Sequence, residues 1–165
     1  MKIVIVGPAR VGKDTFAAIL GDLYGYTYES SSMFCVRKFL RKQLEDILSK
    51  RYESDEACYA DRFDHRDLWF DLITAYNAED PGRLTRELLA EFDIYVGCRN
   101  RKEFLAAQEE GTFDLAIYLK APARVDSPKE LWNTITEDDC DVIVVNNGGI
   151  LDLVESAKAL RLETK

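Results

Sequence analysis

Histidine is nearly missing from this chain of 165 residues, which has one, and its four cysteines stand apart with no Cys-x-x-Cys pair. Neither a zinc centre nor a disulfide framework is expected from Cys35, Cys58, Cys98 and Cys140. No apolar run approaches the roughly 18 residues of a membrane span, and the first apolar stretch gives way to a loop after Val6. A membrane anchor and a cleavable signal are therefore not expected, and the cytoplasm is the default. Basic residues are the minority: 22 Lys and Arg against 30 Asp and Glu give a formal charge of −8. That sign argues against a broad surface for nucleic acid or anionic lipid, so a bound anion must meet a local positive pocket. Low-complexity sequence is absent, because 47% hydrophobic and 32% charged residues are a globular balance. The length fits one compact domain over 1–165.

What the chain does contain is a regular alternation of apolar patterns. Lys2 to Val6 is β-branched without polar alternation, as in a central strand covered on both faces of a parallel sheet. Gly7 to Gly12 reads as a loop and Lys13 to Leu23 as a helix stopped by Gly25. Tyr26 to Glu29 is a short strand, and the serines at 30–32 offer N-caps for a helix from about Met33 to Leu48. Ser49 to Asp64 is polar and non-periodic, which predicts a surface excursion. Helices follow over Asp67 to Tyr76 and Leu84 to Glu91, separated by Asp80-Pro81-Gly82. Strands are expected at Phe92 to Val96, Leu115 to Leu119 and Asp141 to Val145, with helices over Asn100 to Glu109 and Ile150 to Leu160. The last helix should turn Leu151, Val154, Ala157 and Leu160 inward. This order predicts a three-layer α/β domain around a central, mainly parallel sheet.

Gly7-Pro8-Ala9-Arg10-Val11-Gly12-Lys13 has the phosphate-loop spacing G-x-x-x-x-G-K, placed between a buried strand and a helix N-terminus. Gly7 and Gly12 permit backbone angles and close approaches that a Cβ forbids, so successive N–H groups of the loop can face a β-phosphate. The helix dipole adds to that field. Lys13 can reach β- and γ-phosphates, and a hydroxyl in the first helical turn can join a Mg²⁺ shell, which makes ATP and Mg²⁺ the expected donor and metal. The residue after the lysine is usually Ser or Thr; here it is Asp14, with Thr15 one step later. This G-K-x-T spacing is similar to that of adenylate kinase and its relatives, which makes Thr15 a phosphate or metal contact. Asp14 either faces metal-bound water or the acceptor, or only complements the positive helix end.

Four segments in order carry a wider resemblance: Gly12-Lys13-Asp14-Thr15, Arg86-Glu87-Leu88-Leu89, Tyr95 to Glu103, and Cys140 to Leu153. Together they resemble the phage-type deoxynucleoside monophosphate kinases over nearly the whole chain, the first segment being the specific one. The segment at Arg86 is similar to that family's R-x-L-L before its acceptor-binding strand. The segment at Tyr95 is similar to the strand end D-V-R-F-x-N-E, with Arg99 for the acceptor phosphate, although Gly97 or Cys98 stands where an acid is expected and the phenylalanine is missing. The segment at Cys140 is similar to an ending in which Asn146, Asn147 and Gly148 form a turn beside the adenine. The resemblance implies the P-loop nucleoside-triphosphate-hydrolase or nucleotide-kinase fold, an acceptor-binding region at about 33–91, and a short lid at about 121–130 carrying Arg124. It implies ATP-dependent transfer to a (deoxy)nucleoside monophosphate by Lys13, Arg99, Arg86 and Asp14, in a monomer or homodimer, in the host cytoplasm if phage-encoded.

A dephospho-coenzyme A kinase-like enzyme would share the loop and the final Asn turn, but its usual Ser after the lysine is absent. A non-catalytic nucleotide-binding relative is a further alternative. A GTPase switch is disfavoured because Asn146-Asn147-Gly148-Gly149 stands where N-K-x-D is needed. His65, Arg83 and Arg101 read as surface residues, and most aromatic residues between 59 and 95 as core.

Overall fold

The computed structural model describes residues 1–122 and 134–165; Arg124 and residues 123–130 of the expected lid lie outside the described residues. Five strands, β1 (Ile3–Val6), β2 (Tyr28–Ser30), β3 (Ile94–Val96), β4 (Leu115–Lys120) and β5 (Val142–Val145), form one sheet in the order β2-β3-β1-β4-β5. Every pairing is parallel. The central strand is β1, and each of its residues is buried, which is why its sequence shows no polar alternation. Ile5 pairs with Val96 on one side and Ile117 on the other.

Eight α-helices among the described residues cover the two faces: α1 (Lys13–Tyr24), α2 (Ser31–Cys35), α3 (Arg41–Leu48), α4 (Asp55–Ala60), α5 (Arg66–Tyr76), α6 (Arg83–Glu91), α7 (Arg101–Glu109) and α8 (Ile150–Ala159). The strand period of two divides the core accordingly. Val4, Val6, Tyr95 and Ala116 pack with Phe34, Leu40, Leu44, Trp69, Leu88 and Phe104 of the helices on one face. Ile3, Ile5, Ile94 and Ile117 pack with Phe16 and Leu20 of α1 and Leu153 and Ala157 of α8 on the other. The fold is a three-layer α/β domain, as the alternation of patterns requires.

Local signals explain the element ends. Gly25 stops α1 in the left-handed region at φ 80°, its N–H donating to the Gly21 carbonyl. Ser30 caps α2, its hydroxyl accepting from the Met33 N–H at 3.2 Å. A π-helical stretch over Val36–Leu40 carries α2 into α3.

Three expectations are corrected. The surface excursion at Ser49 to Asp64 contains α4 and a 3₁₀ turn at Asp61–Phe63, and it contributes Tyr52 and Cys58 to the core. A helix of six residues with one fully buried side chain shows too little periodicity to be read from sequence. In α8, Leu151 is 77% exposed, and Leu153 takes the inward position. Two residues turn a helix by about 200°, so packing of Leu153 and Ala157 forces Leu151 outward. The second strand also begins two residues later than Tyr26. No helix among the described residues is long and apolar enough to cross a membrane.

The phase of these helices gives a paired test by urea denaturation. Phe16→Ala empties a fully buried position and should cost about 3–5 kcal/mol. Leu151→Ala should change stability by less than about 0.5 kcal/mol, and a comparable loss at both positions would contradict the packing of α8.

Candidate phosphate-binding site

The loop between β1 and α1 turns at three residues with positive φ: Gly7 at 133°, Arg10 at 60° and Gly12 at 100°. Gly7 is required by proximity, because a Cβ there would lie 2.1 Å from the Leu119 carbonyl oxygen of β4. Arg10 is the exception to glycine, and a non-glycine residue in the left-handed region costs on the order of 1–3 kcal/mol. The Arg10 side chain is exposed. The first backbone bond of α1 runs from the Phe16 N–H to the Gly12 carbonyl at 2.9 Å. The N–H groups of Lys13, Asp14 and Thr15 precede that bond, and they concentrate positive potential at the start of the helix.

Lys13 is almost fully buried, and its Nζ donates to the carbonyls of Gly7 at 2.9 Å and Pro8 at 2.5 Å. These bonds compensate the burial of the ammonium group and hold it across the loop. Asp14 and Thr15 are both exposed in the first turn, so their oxygens are accessible. They are hard donors of the kind Mg²⁺ takes. Among the described residues, no three His, Cys, Asp or Glu side chains are grouped to hold a metal ion by themselves.

Asn146, just past β5, supports the loop from the side. Its buried Nδ2 donates to the Val11 carbonyl at 2.9 Å, its Oδ1 accepts from the Gly149 N–H at 3.1 Å, and its own N–H donates to the Lys120 carbonyl at 2.7 Å. The Asn146 side chain therefore braces the phosphate loop instead of presenting itself at an adenine edge. Asn147 and Gly148 are more open members of that turn. Alternation along the strand carried the signal: Asn146 is two residues beyond buried Val144 and shares its face.

The expected acceptor-side arginines separate. Gly97 follows β3 and donates its N–H to the Ile5 carbonyl at 2.9 Å, which places the next turn at the same sheet edge as the phosphate loop. Arg99 is exposed in that turn, and its carbonyl accepts from the Thr134 N–H at 3.0 Å. Arg86 is not brought to this edge. Its guanidinium pairs with Asp80 and, at 2.8 Å, with Glu110, which follows the C-terminus of α7 at the edge where the strands begin. Arg101 grips both oxygens of Asp139 at 2.6 to 3.0 Å and holds that carboxyl well below the usual range. Arg83 lies over the Tyr76 ring and pairs with Glu87 at 3.0 Å.

Sequence reasoning missed the buried carboxylate of Glu103. One of its oxygens accepts from the Thr85 hydroxyl at 2.8 Å and the Tyr95 hydroxyl at 2.9 Å, and the other from Asn77 Nδ2 at 3.0 Å. Burial pushes its carboxyl up to about 7 against the opposing hydrogen bonds. In sequence the segment reads as a helix without a functional role for Glu103; Phe104 and Ala107, which set the buried face, were the available signal. Elsewhere, a cleft of about 530 Å³ is lined by Gln43, Leu72, Tyr76, Glu79, Asp80 and Arg83 among others. It includes no residue of the phosphate loop, and two acids beside one arginine do not suit a polyphosphate.

No protein-family model and no curated protein matches the chain. Solved structures do match along nearly its whole length. Shikimate kinase from Aquifex aeolicus aligns with a TM-score of 0.54 at 12% identity, covering 96% of this chain and 95% of that one. Shikimate kinase from Acinetobacter baumannii, in complex with shikimate, gives 0.52 at 13%, covering 97% and 90%. The protein TT1252 from Thermus thermophilus gives 0.51 at 20%, covering 98% and 96%. The chain shares its three-layer α/β fold with the two shikimate kinases.

The brace predicts a separation of neighbours. Asn146→Ala leaves the Val11 carbonyl and Gly149 N–H without their partner and should cost about 1–3 kcal/mol in urea denaturation. Asn147→Ala, at an exposed position, should leave stability within about 0.5 kcal/mol, and equal losses would refute the brace.

Proposed function

We propose that this chain transfers the γ-phosphoryl group of ATP to a (deoxy)nucleoside monophosphate, giving the diphosphate. The observation that carries the reading is the glycine-turned loop, with Lys13 held across it and Arg99 on the neighbouring turn of the same sheet edge. Transfer between two polyanions depends on positioning and charge neutralisation, and the chain concentrates cations at this edge despite its net charge of −8. Loop N–H groups and Lys13 bind the donor phosphates, and Arg99 binds the acceptor phosphate. Asp14 and Thr15 would hold Mg²⁺, which when bound neutralises charge on the phosphate oxygens. The acceptor nucleophile is an ionised phosphate oxygen, so the reaction needs no histidine base. The four-segment resemblance to phage-type deoxynucleoside monophosphate kinases supports the acceptor class, and Asn147 and Gly148 remain accessible for the adenine.

Transfer to the hydroxyl of a small metabolite is the alternative reading. It is favoured by the fold shared with shikimate kinases and by the loop features common to a dephospho-coenzyme A kinase-like enzyme. Labelled ATP offered with a panel of ribo- and deoxynucleoside monophosphates and hydroxyl acceptors decides between the two. Labelled nucleoside diphosphate is the expected product; label only on a hydroxyl acceptor, or on none, overturns the proposal.

Two variants assign the halves of the site. Lys13→Ala should stay folded and lose at least about 100-fold in turnover, because charge developing on the transferred group loses its nearest side-chain cation. Arg99→Ala should raise the acceptor KM or lower turnover by about ten-fold or more, with ATP affinity little changed, since a charge-assisted bond to phosphate contributes about 1.5–3 kcal/mol. Loss of ATP binding with intact acceptor binding would put Arg99 on the donor side.

A further inference from the structure

Glu103 takes no part in the chemistry above, yet it is a buried ionisable group four residues beyond Arg99, and each of its three donors comes from a different part of the fold. Asn77 immediately follows α5, Thr85 lies in α6, and Tyr95 is the middle residue of β3. Asn77 Oδ1 accepts from the Leu84 N–H at 3.2 Å, which fixes the amide and leaves its Nδ2 to donate to the carboxylate. Three neutral donors thus converge on an acceptor, without a cation among these hydrogen-bond partners. The turn bearing Arg99 is tied to the same point. Asn100 caps α7, its Oδ1 accepting from the N–H groups of Lys102 at 2.9 Å and Glu103 at 3.4 Å. Cys98, buried one residue before Arg99, donates its thiol to the Asn100 carbonyl at 3.9 Å, which ties the turn to the residue that caps α7.

We propose that Glu103 is a positioning residue: its carboxylate locks the α5–α6 junction and β3 to the start of α7, and so fixes where Arg99 meets the acceptor phosphate. The inference rests on the kinase reading above and deepens its acceptor half. The ionised carboxylate accepts from all three donors at once. A proton on the oxygen shared by Thr85 and Tyr95 forces one of those hydroxyls to turn from donor to acceptor, and a proton on the other oxygen removes the negative charge that strengthens all three bonds. The other titratable groups facing it are Tyr95 from β3, Cys98 from the turn and Cys35 from α2, and burial pushes all three up, so they stay neutral near pH 7. Because the folded carboxyl titrates at about 7, the ionised fraction falls as pH drops below neutrality, and the lock loosens in that direction.

Glu103→Gln keeps the shape of the side chain and removes the ionised state. Hydrogen–deuterium exchange at one fixed pH, together with kinetics on ATP and nucleoside monophosphates from pH 6 to 8, tests the lock. In the variant, exchange at 97–102 should rise at least ten-fold with the loop at 7–15 unchanged. Its acceptor KM should rise at least five-fold while the ATP KM stays within two-fold. The wild-type acceptor kcat/KM should fall below pH 7, and the variant should be flat. Unchanged exchange at 97–102, or a wild-type acceptor KM and pH profile, overturns the proposal. If the wild type transfers phosphate to no acceptor, the kinase reading fails, and exchange alone decides: faster exchange supports the lock and unchanged exchange overturns it. If Glu103→Gln does not fold, Thr85→Val removes one donor and should raise the acceptor KM at least three-fold; a wild-type value there overturns the lock.

Discussion

At Gly7 the chain passes so close to the Leu119 carbonyl that even a methyl group does not fit, and the remainder of the site is arranged around that approach. It docks the exit of β1 against the end of β4, so the phosphate loop starts from the most buried part of the sheet. Two further ties follow: Lys13 returns to the carbonyls of Gly7 and Pro8, and Asn146 reaches from β5 to the Val11 carbonyl. Three neighbouring strands thus hold one short loop. Donors fixed before a ligand arrives need no reorganisation when charge develops on it, which is the condition for strong electrostatic stabilisation.

The distribution of charge serves the same end. Across the expected acceptor region, cations pair with nearby acids: Arg37 with Glu29, Lys38 with Glu87 and Glu91, Arg41 with Glu45 and Asp55, and Arg86 with Asp80 and Glu110. Partly exposed pairs of this kind contribute little to stability. Their larger effect is to cancel positive potential on the flank, so that the positive field of the loop stands out in an acidic protein. Arg86 illustrates the point. In sequence it is one arginine among several before a strand; in space two carboxylates absorb it.

Legibility from sequence followed the range of the interactions. The strand of β1, the loop and α1 form one local unit whose glycines, apolar run and helix stop are near neighbours in the chain, and all were readable. The order of strand and helix units was readable because buried parallel strands carry continuous apolar runs. The inward turn of α8 was misread because its phase is set by packing against α1, not by its own first residue. The helix at Asp55–Ala60 was hidden because one buried cysteine makes no period. At the site, Asn146 and Asn147 are chemically identical in sequence and differ only in the face each presents. Glu103 was invisible as a functional residue because its partners Asn77, Thr85 and Tyr95 meet only after folding.

The two halves of the site are consequently built on different physics. On the donor side, backbone geometry does the holding: positive φ angles, the N–H groups that open α1 and the carbonyls around Lys13, and no backbone group titrates near neutrality. On the proposed acceptor side, the turn bearing Arg99 leads into α7, whose desolvated Glu103 carboxylate is held by neutral donors. A buried cation in place of Thr85, Tyr95 or Asn77 would hold that carboxylate more strongly, but it would also bury a fixed positive charge against the start of α7. In a poorly screened interior that charge would reach the turn bearing Arg99. Neutral donors secure the turn without altering its field. Under the proposed lock, their cost is a carboxylate that burial raises to about 7, so its ionisation responds to pH near neutrality while the backbone groups of the phosphate loop do not.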